Sequence, residues 1–286
     1  MTDTQNVTLP TIAMLGAGSM GRAILSGLTA PGVEVTGGIR VTNRSAERAA
    51  ELSGIPGVTA FAIEKDGAAN RLAVDGAAIV IVAVKPAMVP DLLREIASSL
   101  NPGTIVVSVA AGVTVATFES LLPENIVVVR SMPNTPAVVG KAVTGISPGG
   151  RSEPEDLQLV RSLFETVGEV VEVPESQLDA LSTISGSGPA YVFLLVEALT
   201  AAAVEKGFTP EQARTLVNGT FLGASELLVA SGEDPAELRR RVTSPKGTTE
   251  RAIEVLAAAD LPALFTRATD AALARARELA APTPTP

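Results

Sequence analysis

Over the first 174 positions, apolar residues fall into short runs of strand length, separated by stretches of helical spacing. Thr11 to Leu15 is one such run; it breaks into Gly16, Gly18 and Gly21, and a helical pattern follows from Met20 to Leu28. Ile39 to Thr42 is a second. Asn43, Arg44 and Ser45 come next, with Ser45 placed as N-cap of a helix to about Leu52 and Gly54 just past its end. Ala77 to Val84 is apolar throughout, as a central parallel strand covered on both faces requires, and Pro86 stops it. The pattern then predicts a helix from Val89 to Leu100, a strand from Thr104 to Val109, a helix near Thr114 to Leu121 and a strand from Ile126 to Arg130. Met132-Pro133-Asn134-Thr135-Pro136 is expected to be a rigid, non-helical loop, because each proline pushes its predecessor towards extended geometry. A strand at Thr144 to Ser147, a capping box at Ser152 to Glu155 opening a helix that ends near Gly168, and a half-exposed strand at Glu169 to Val173 complete the series. Alternation of this kind predicts an α/β domain over 1–174, with a doubly wound parallel sheet.

From Glu175 the strand signal disappears, and 175–286 reads as an all-α domain, with 281–286 a Pro/Thr-rich and disordered tail. Ser185 to Gly188 is expected to be a flexible turn, and Pro189 the first position of a helix to about Lys206. That helix is apolar nearly all round. A membrane span competes with burial, but the run is short and contains Glu197. Thr209 to Gln212 and Asp234 to Glu237 mark two further capped helix starts. A small helical domain with one over-hydrophobic helix completes its core with a second copy, so a homodimer is expected.

Composition narrows the chemistry. The 286 residues contain no cysteine and no histidine, which removes thiolate nucleophiles, disulfides and imidazole acid-base work, and leaves no donor set that favours a metal. A net charge of -9 argues against nucleic acid, whose phosphates need clustered cations. The N-terminus lacks a basic-then-apolar signal pattern, and a cytoplasmic protein is expected.

A strand, three glycines and a helix in that order read as a dinucleotide-binding turn, with an ordinary strand-to-helix turn as the alternative. Gly16 turns the chain, Gly18 lets a pyrophosphate reach the backbone, and Gly21 allows close packing of helix on strand. An acidic residue usually ends the second strand where the cofactor is NAD; Asn43 and Arg44 stand there instead, which favours NADPH and its 2′-phosphate. Ligands of such sheets lie beyond the carboxyl ends of the strands, so Gly16, Asn43, Lys85 and Ala110 should line one crevice. Farther on, Thr243-Ser244-Pro245-Lys246-Gly247-Thr248-Thr249 precedes a helix; it reads either as a capped loop or as an anion site made of free N–H groups.

These stretches together carry a resemblance. Gly16-Ala17-Gly18-Ser19-Met20, Asn43-Arg44-Ser45, Ala83-Val84-Lys85-Pro86, Ala110-Ala111-Gly112-Val113, Met132 to Pro136, Ser185 to Tyr191 and Val242 to Thr249 resemble the pyrroline-5-carboxylate reductases over nearly the whole chain. The resemblance implies a Rossmann-like domain followed by an interlocked helical dimerisation domain, a homodimer that can assemble into a larger ring, and hydride transfer from NADPH, with NADH as the alternative donor. The substrate would be the cyclic imine 1-pyrroline-5-carboxylate and the product L-proline. By position, the cofactor would be contacted by Leu15, Gly16, Ala17, Gly18, Ser19, Met20, Asn43, Arg44, Ser45, Asn70, Ala83, Val84, Lys85, Pro86, Ala110, Ala111 and Gly112. Glu175, Ser244, Gly247, Thr248 and Thr249 would surround the substrate, with the Thr249 hydroxyl near the imine nitrogen. One position departs from the family: Lys246 stands where glycine is usual, at a point where the backbone angles can disfavour a side chain.

A protonated imine already carries the charge that accepts hydride, so a chain without histidine can manage this reduction by placement alone. Lys85 is either a general acid or, more simply, part of the crevice wall. Two competing readings stand beside this one. A hydroxy-acid or sugar-acid dehydrogenase would need a lysine on a second-domain helix, yet only Lys206 and Lys246 lie beyond Glu175. A nucleotide sensor without catalysis would bind NADPH and oxidise none.

Overall fold

The computed structural model describes residues 7–280. Its chain forms two compact units, Gly188–Ala272 and the remainder. The expected tail at 281–286 lies outside the described residues.

The first unit opens with β1 (Val7–Leu9), β2 (Ile12–Leu15), α1 (Ser19–Leu28), β3 (Val33–Val35), β4 (Ile39–Asn43) and α2 (Ala46–Ala50). It continues through β5 (Val58–Ala62), α3 (Ala69–Val74), β6 (Ile79–Val82), α4 (Val89–Ile96), β7 (Ile105–Ser108), α5 (Val115–Leu121) and β8 (Val127–Met132). Then come β9 (Ala142–Pro148), α6 (Pro154–Glu165), β10 (Gly168–Glu172) and α7 (Glu175–Leu181). Eight strands make one sheet in the order β10-β9-β8-β7-β6-β2-β4-β5, while β1 and β3 form a parallel pair of their own. Chain order reverses between β2 and β6, the switch point of a doubly wound fold. β2 and β6 are buried at every residue, as their unbroken apolar runs foretold. Each fully buried Ile or Val contributes roughly 1.5–3 kcal/mol.

Four local expectations need correction. β8 and β9 pair antiparallel, so the sheet is parallel only up to β8 before it reverses for its last two strands. Met132 to Asn134 are extended as expected, but Thr135–Val139 coils into a 3-10 turn, because a proline near its start supplies the helical φ and needs no N–H. The capping box of α6 is Glu153 with Asp156 rather than Ser152 with Glu155, since the Ser152 hydroxyl is spent on the Val128 carbonyl. Ser182–Gly186 is a π-helical turn, not a flexible one, and it carries α7 onward without a break. The sequence reading also passed over β1, β3, β5 and α3, which have three to six residues each and are too short to show a period.

The second unit holds α8 (Gly188–Glu205), α9 (Pro210–Ser231), α10 (Pro235–Arg241), α11 (Thr248–Ala257) and most of α12 (Leu261–Ala280). Thr209 and Gln212 form the expected capping box; at α10, Asp234 caps Ala236 while Glu237 turns to Arg240 and Arg241. Within this unit Tyr191 and Phe265 meet edge to face, with ring centroids 6.2 Å apart. No residue of α8 is buried, and Phe193, Leu194 and Leu195 on it and Leu222 and Val229 on α9 are all exposed. Apolar surface on this scale calls for a covering partner.

Candidate active site

Register places the site. Thr42 pairs with Leu15, Leu15 with Val82, Val82 with Ser108, and Ser108 with Arg130, so the carboxyl ends of five strands stand in one row. The loops after β2, β4, β6 and β7 leave from that row. Gly16, at φ 93°, donates its N–H to the Thr42 carbonyl at 3.1 Å, and a Cβ there would sit 2.8 Å from the Ala83 oxygen. Only glycine suits both demands. Gly21 is equally crowded, its Cβ position lying 2.6 Å from the Gly16 oxygen, whereas nothing lies within 4 Å of a Cβ on Gly18. The three glycines therefore divide into a turn, an open approach and a close contact.

Around them, Ala17 and Ala110 are buried, Ser19 and Ala111 are exposed, and Gly112 has φ 74°. Gly18 is the N-cap of α1, whose N-terminus has neither a side-chain cap nor an acidic first-turn residue to compete with a bound anion. Asn43 is buried, with its amide directed at the Arg48 carbonyl, so its side chain braces the turn; the exposed Arg44 guanidinium has no ion-pair partner among the described residues. Ser45 caps α2 through the Arg48 N–H. Lys85 is exposed at the head of the 3-10 turn Pro86–Met88. Asn70 is 5% exposed; its Nδ2 donates to Glu95 Oε2 at 3.1 Å, and its Oδ1 has no partner among the described residues. A buried amide oxygen without a donor, an open Gly18 and a free Arg44 together fit a nucleotide carrying a 2′-phosphate.

The loop before α11 is a compact turn. Gly247 donates to the Ser244 carbonyl at 2.9 Å, and a Cβ on Gly247 would stand 2.9 Å from that same oxygen. Lys246 takes the left-handed φ of 59°, and its N–H is bound by the Glu250 carboxylate at 2.7 Å. The angles for which glycine is usual are thus kept, at a strain of about 1–2 kcal/mol. Thr248 and Thr249 open α11 with exposed hydroxyls that have no hydrogen-bond partner among the described residues. Just upstream, a hydrogen bond from Arg240, aided by Arg241, holds the Glu237 carboxyl below its ordinary pKa.

Glu175 lies in the first unit and is more committed than its sequence suggested. Its Oε1 accepts the Val115 N–H at 2.7 Å and faces Arg130 Nη1 at 3.2 Å, while Arg130 Nη2 binds Asp179 at 2.8 Å. The sequence reading missed Arg130, Asp179 and Glu95. Arg130 had a readable signal, a lone cation closing a run of valines, which is affordable only when paired.

Comparison with known proteins gives a consistent result. Residues 175–279 match a family described as pyrroline-5-carboxylate reductase dimerisation, and residues 11–112 one described as NADP oxidoreductase, coenzyme F420-dependent. Pyrroline-5-carboxylate reductase of Corynebacterium melassecola is 40% identical over 95% of this chain and 99% of its own. The Pseudomonas aeruginosa enzyme is 38% identical over 96% of this chain and 98% of its own. A solved pyrroline-5-carboxylate reductase from Coxiella burnetii, 36% identical, superposes with a TM-score of 0.87 over 98% of this chain and 100% of that one.

Proposed function

The chain belongs to the pyrroline-5-carboxylate reductase family, and on that premise we propose how its residues share the reduction of 1-pyrroline-5-carboxylate to L-proline. It is an NAD(P)H-dependent oxidoreductase of proline biosynthesis acting on a C=N bond, and it works as a homo-oligomer on a small-molecule substrate. NADPH is the preferred donor in our reading, with the unpaired Arg44 guanidinium and the Ser45 turn taking its 2′-phosphate. Gly18 and the start of α1 hold the pyrophosphate; Leu15 to Met20, Asn70, Ala83 to Pro86 and Ala110 to Gly112 line the cofactor's path, and Asn70 Oδ1 accepts from it. When bound, the reduced nicotinamide supplies the hydride.

The backbone N–H groups of Thr248 and Thr249 at the start of α11 hold the substrate carboxylate, and Ser244 and Gly247, joined by their own hydrogen bond, shape the loop around it. Thr249 keeps its hydroxyl on the ring nitrogen. Hydride reaches the imine carbon, the π pair of the C=N bond moves to the already protonated nitrogen, and a secondary amine results. No general acid is required, which suits a chain without histidine. Lys85 shapes the crevice. The observation that carries this assignment is the Thr249 hydroxyl, exposed and without a hydrogen-bond partner among the described residues, in the first turn of α11, whose N-cap Gly247 offers no side chain.

In this reading the functional division falls at 174/175, where the dimerisation match begins, although the compact first unit runs on through the π turn to Ser187. The pairing partner for α8 and α9 is a second copy; assembly of dimers into a ring, a cytoplasmic location, and the absence of nucleic-acid and membrane partners belong to the same reading. Absorbance of reduced nicotinamide, followed with the five-membered imine acid and each cofactor in turn, tests it. Oxidation faster with NADPH supports the assignment; oxidation faster with NADH removes the role given to Arg44.

A further inference from the structure

Arg130 closes the row of strand ends, beside the strand that feeds the Ala110–Gly112 loop. It is 5% exposed, and a cation so buried must be neutralised. Two carboxylates do so, on successive turns of one helix: Glu175 at 3.2 Å and Asp179 at 2.8 Å, one on each terminal nitrogen of the guanidinium. Residues four apart face the same way on a helix, so a planar fork can hold both and thereby fixes the roll of α7 about its axis. The same Glu175 oxygen takes the Val115 N–H at the start of α5, the helix that follows the cofactor loop. One side chain therefore ties α7 to the start of α5, just beyond the Ala110–Gly112 loop.

The charges in this cluster do not cancel. One guanidinium faces two carboxylates, and Glu175 Oε2 has no hydrogen-bond partner among the described residues. The Glu175 side chain is 31% exposed, so the carboxylate is not sealed from a ligand. An excess negative charge held rigidly near the row of strand ends suits a cation, and the reaction's substrate is reduced as one. Resting on the function proposed above and on the place beside the substrate that the family resemblance gives Glu175, we infer that Arg130 is a positioning residue, which spends one oxygen of Glu175 on α5 so that the other is presented to the protonated imine. Asp179 holds the second arm of the fork and sets the angle.

Glu175→Gln and Arg130→Lys test this, alone and together, with dimer size and NADPH affinity measured on each purified enzyme. Glutamine keeps an oxygen for Val115 and Arg130 but loses the charge; lysine keeps the charge but cannot bridge two carboxylates. Each single variant is expected to raise KM for the imine about tenfold, with KM for NADPH within about twofold and the dimer intact. The double variant should be no worse than the poorer single one, because Arg130 acts through Glu175. Multiplying effects in the double variant, or equal increases in both KM values, would overturn the inference and leave Arg130 a structural residue. Failure of the unaltered enzyme to reduce the imine at all would instead remove the functional reading beneath it.

Discussion

Alanine at Gly18 and at Gly21 should separate cofactor binding from folding. At Gly18 the backbone lies at φ -72° and ψ -165°, open to any residue, and a Cβ would find nothing within 4 Å. Alanine is a poorer N-cap than glycine by about 0.5 kcal/mol or more, while the stiffer unfolded chain returns about 0.4–1 kcal/mol. The terms nearly cancel, and the melting temperature should hold. Yet the methyl group fills the space a pyrophosphate needs, and losing one charge-assisted hydrogen bond at about 1.5–3 kcal/mol weakens NADPH roughly 10- to 100-fold. Gly21→Ala is the opposite case. Its Cβ would stand 2.6 Å from the Gly16 oxygen and 3.4 Å from Met14 Sδ, an overlap with backbone that costs about 1–3 kcal/mol. Thermal melts and a nicotinamide fluorescence titration on both variants provide the assay. Unchanged NADPH affinity in Gly18→Ala, with unchanged stability, would refute the idea that the phosphates approach the chain there.

Arg44→Ala should cost NADPH about 10- to 100-fold in kcat/KM and leave NADH within about twofold, since only the 2′-phosphate loses a partner; steady-state rates with the two cofactors decide. Thr249→Ala should lower kcat by about one to two orders of magnitude with an unchanged melt, whereas Lys85→Ala should act chiefly on cofactor use; near-total loss of kcat in the Lys85 variant with intact cofactor affinity would exchange those roles. Phe193→Glu, on the exposed apolar face of α8, should shift light scattering towards monomer. Lys246→Gly relieves a left-handed φ of 59° and should raise stability by up to about 1 kcal/mol, glycine's greater unfolded-state entropy taking back part of the relief.

What the sequence determined by itself was the α/β order and the cofactor turn, because both are local. The unbroken apolar runs at Ile12–Leu15 and Ile79–Val82 could only be central strands, and Gly16, Gly18 and Gly21 act within a few residues of one another. That a helix follows the turn at Ser244 to Gly247 was legible for the same reason. Tertiary structure decided whatever depends on partners distant along the chain. Ser152 left its expected cap for the Val128 carbonyl 24 residues away. The glycine-rich stretch at Ser185 to Gly188 looked loose, but Asn134, 51 residues earlier, donates to the Ser185 carbonyl, the oxygen that Pro189 cannot bond because it has no N–H. Glu175 was expected only as a residue around the substrate, and the fold gives one of its oxygens to Arg130, 45 residues earlier. Periodicity reports which face of an element is apolar; only packing determines which polar group meets which, since hydrogen bonds and ion pairs depend on distances the sequence does not contain.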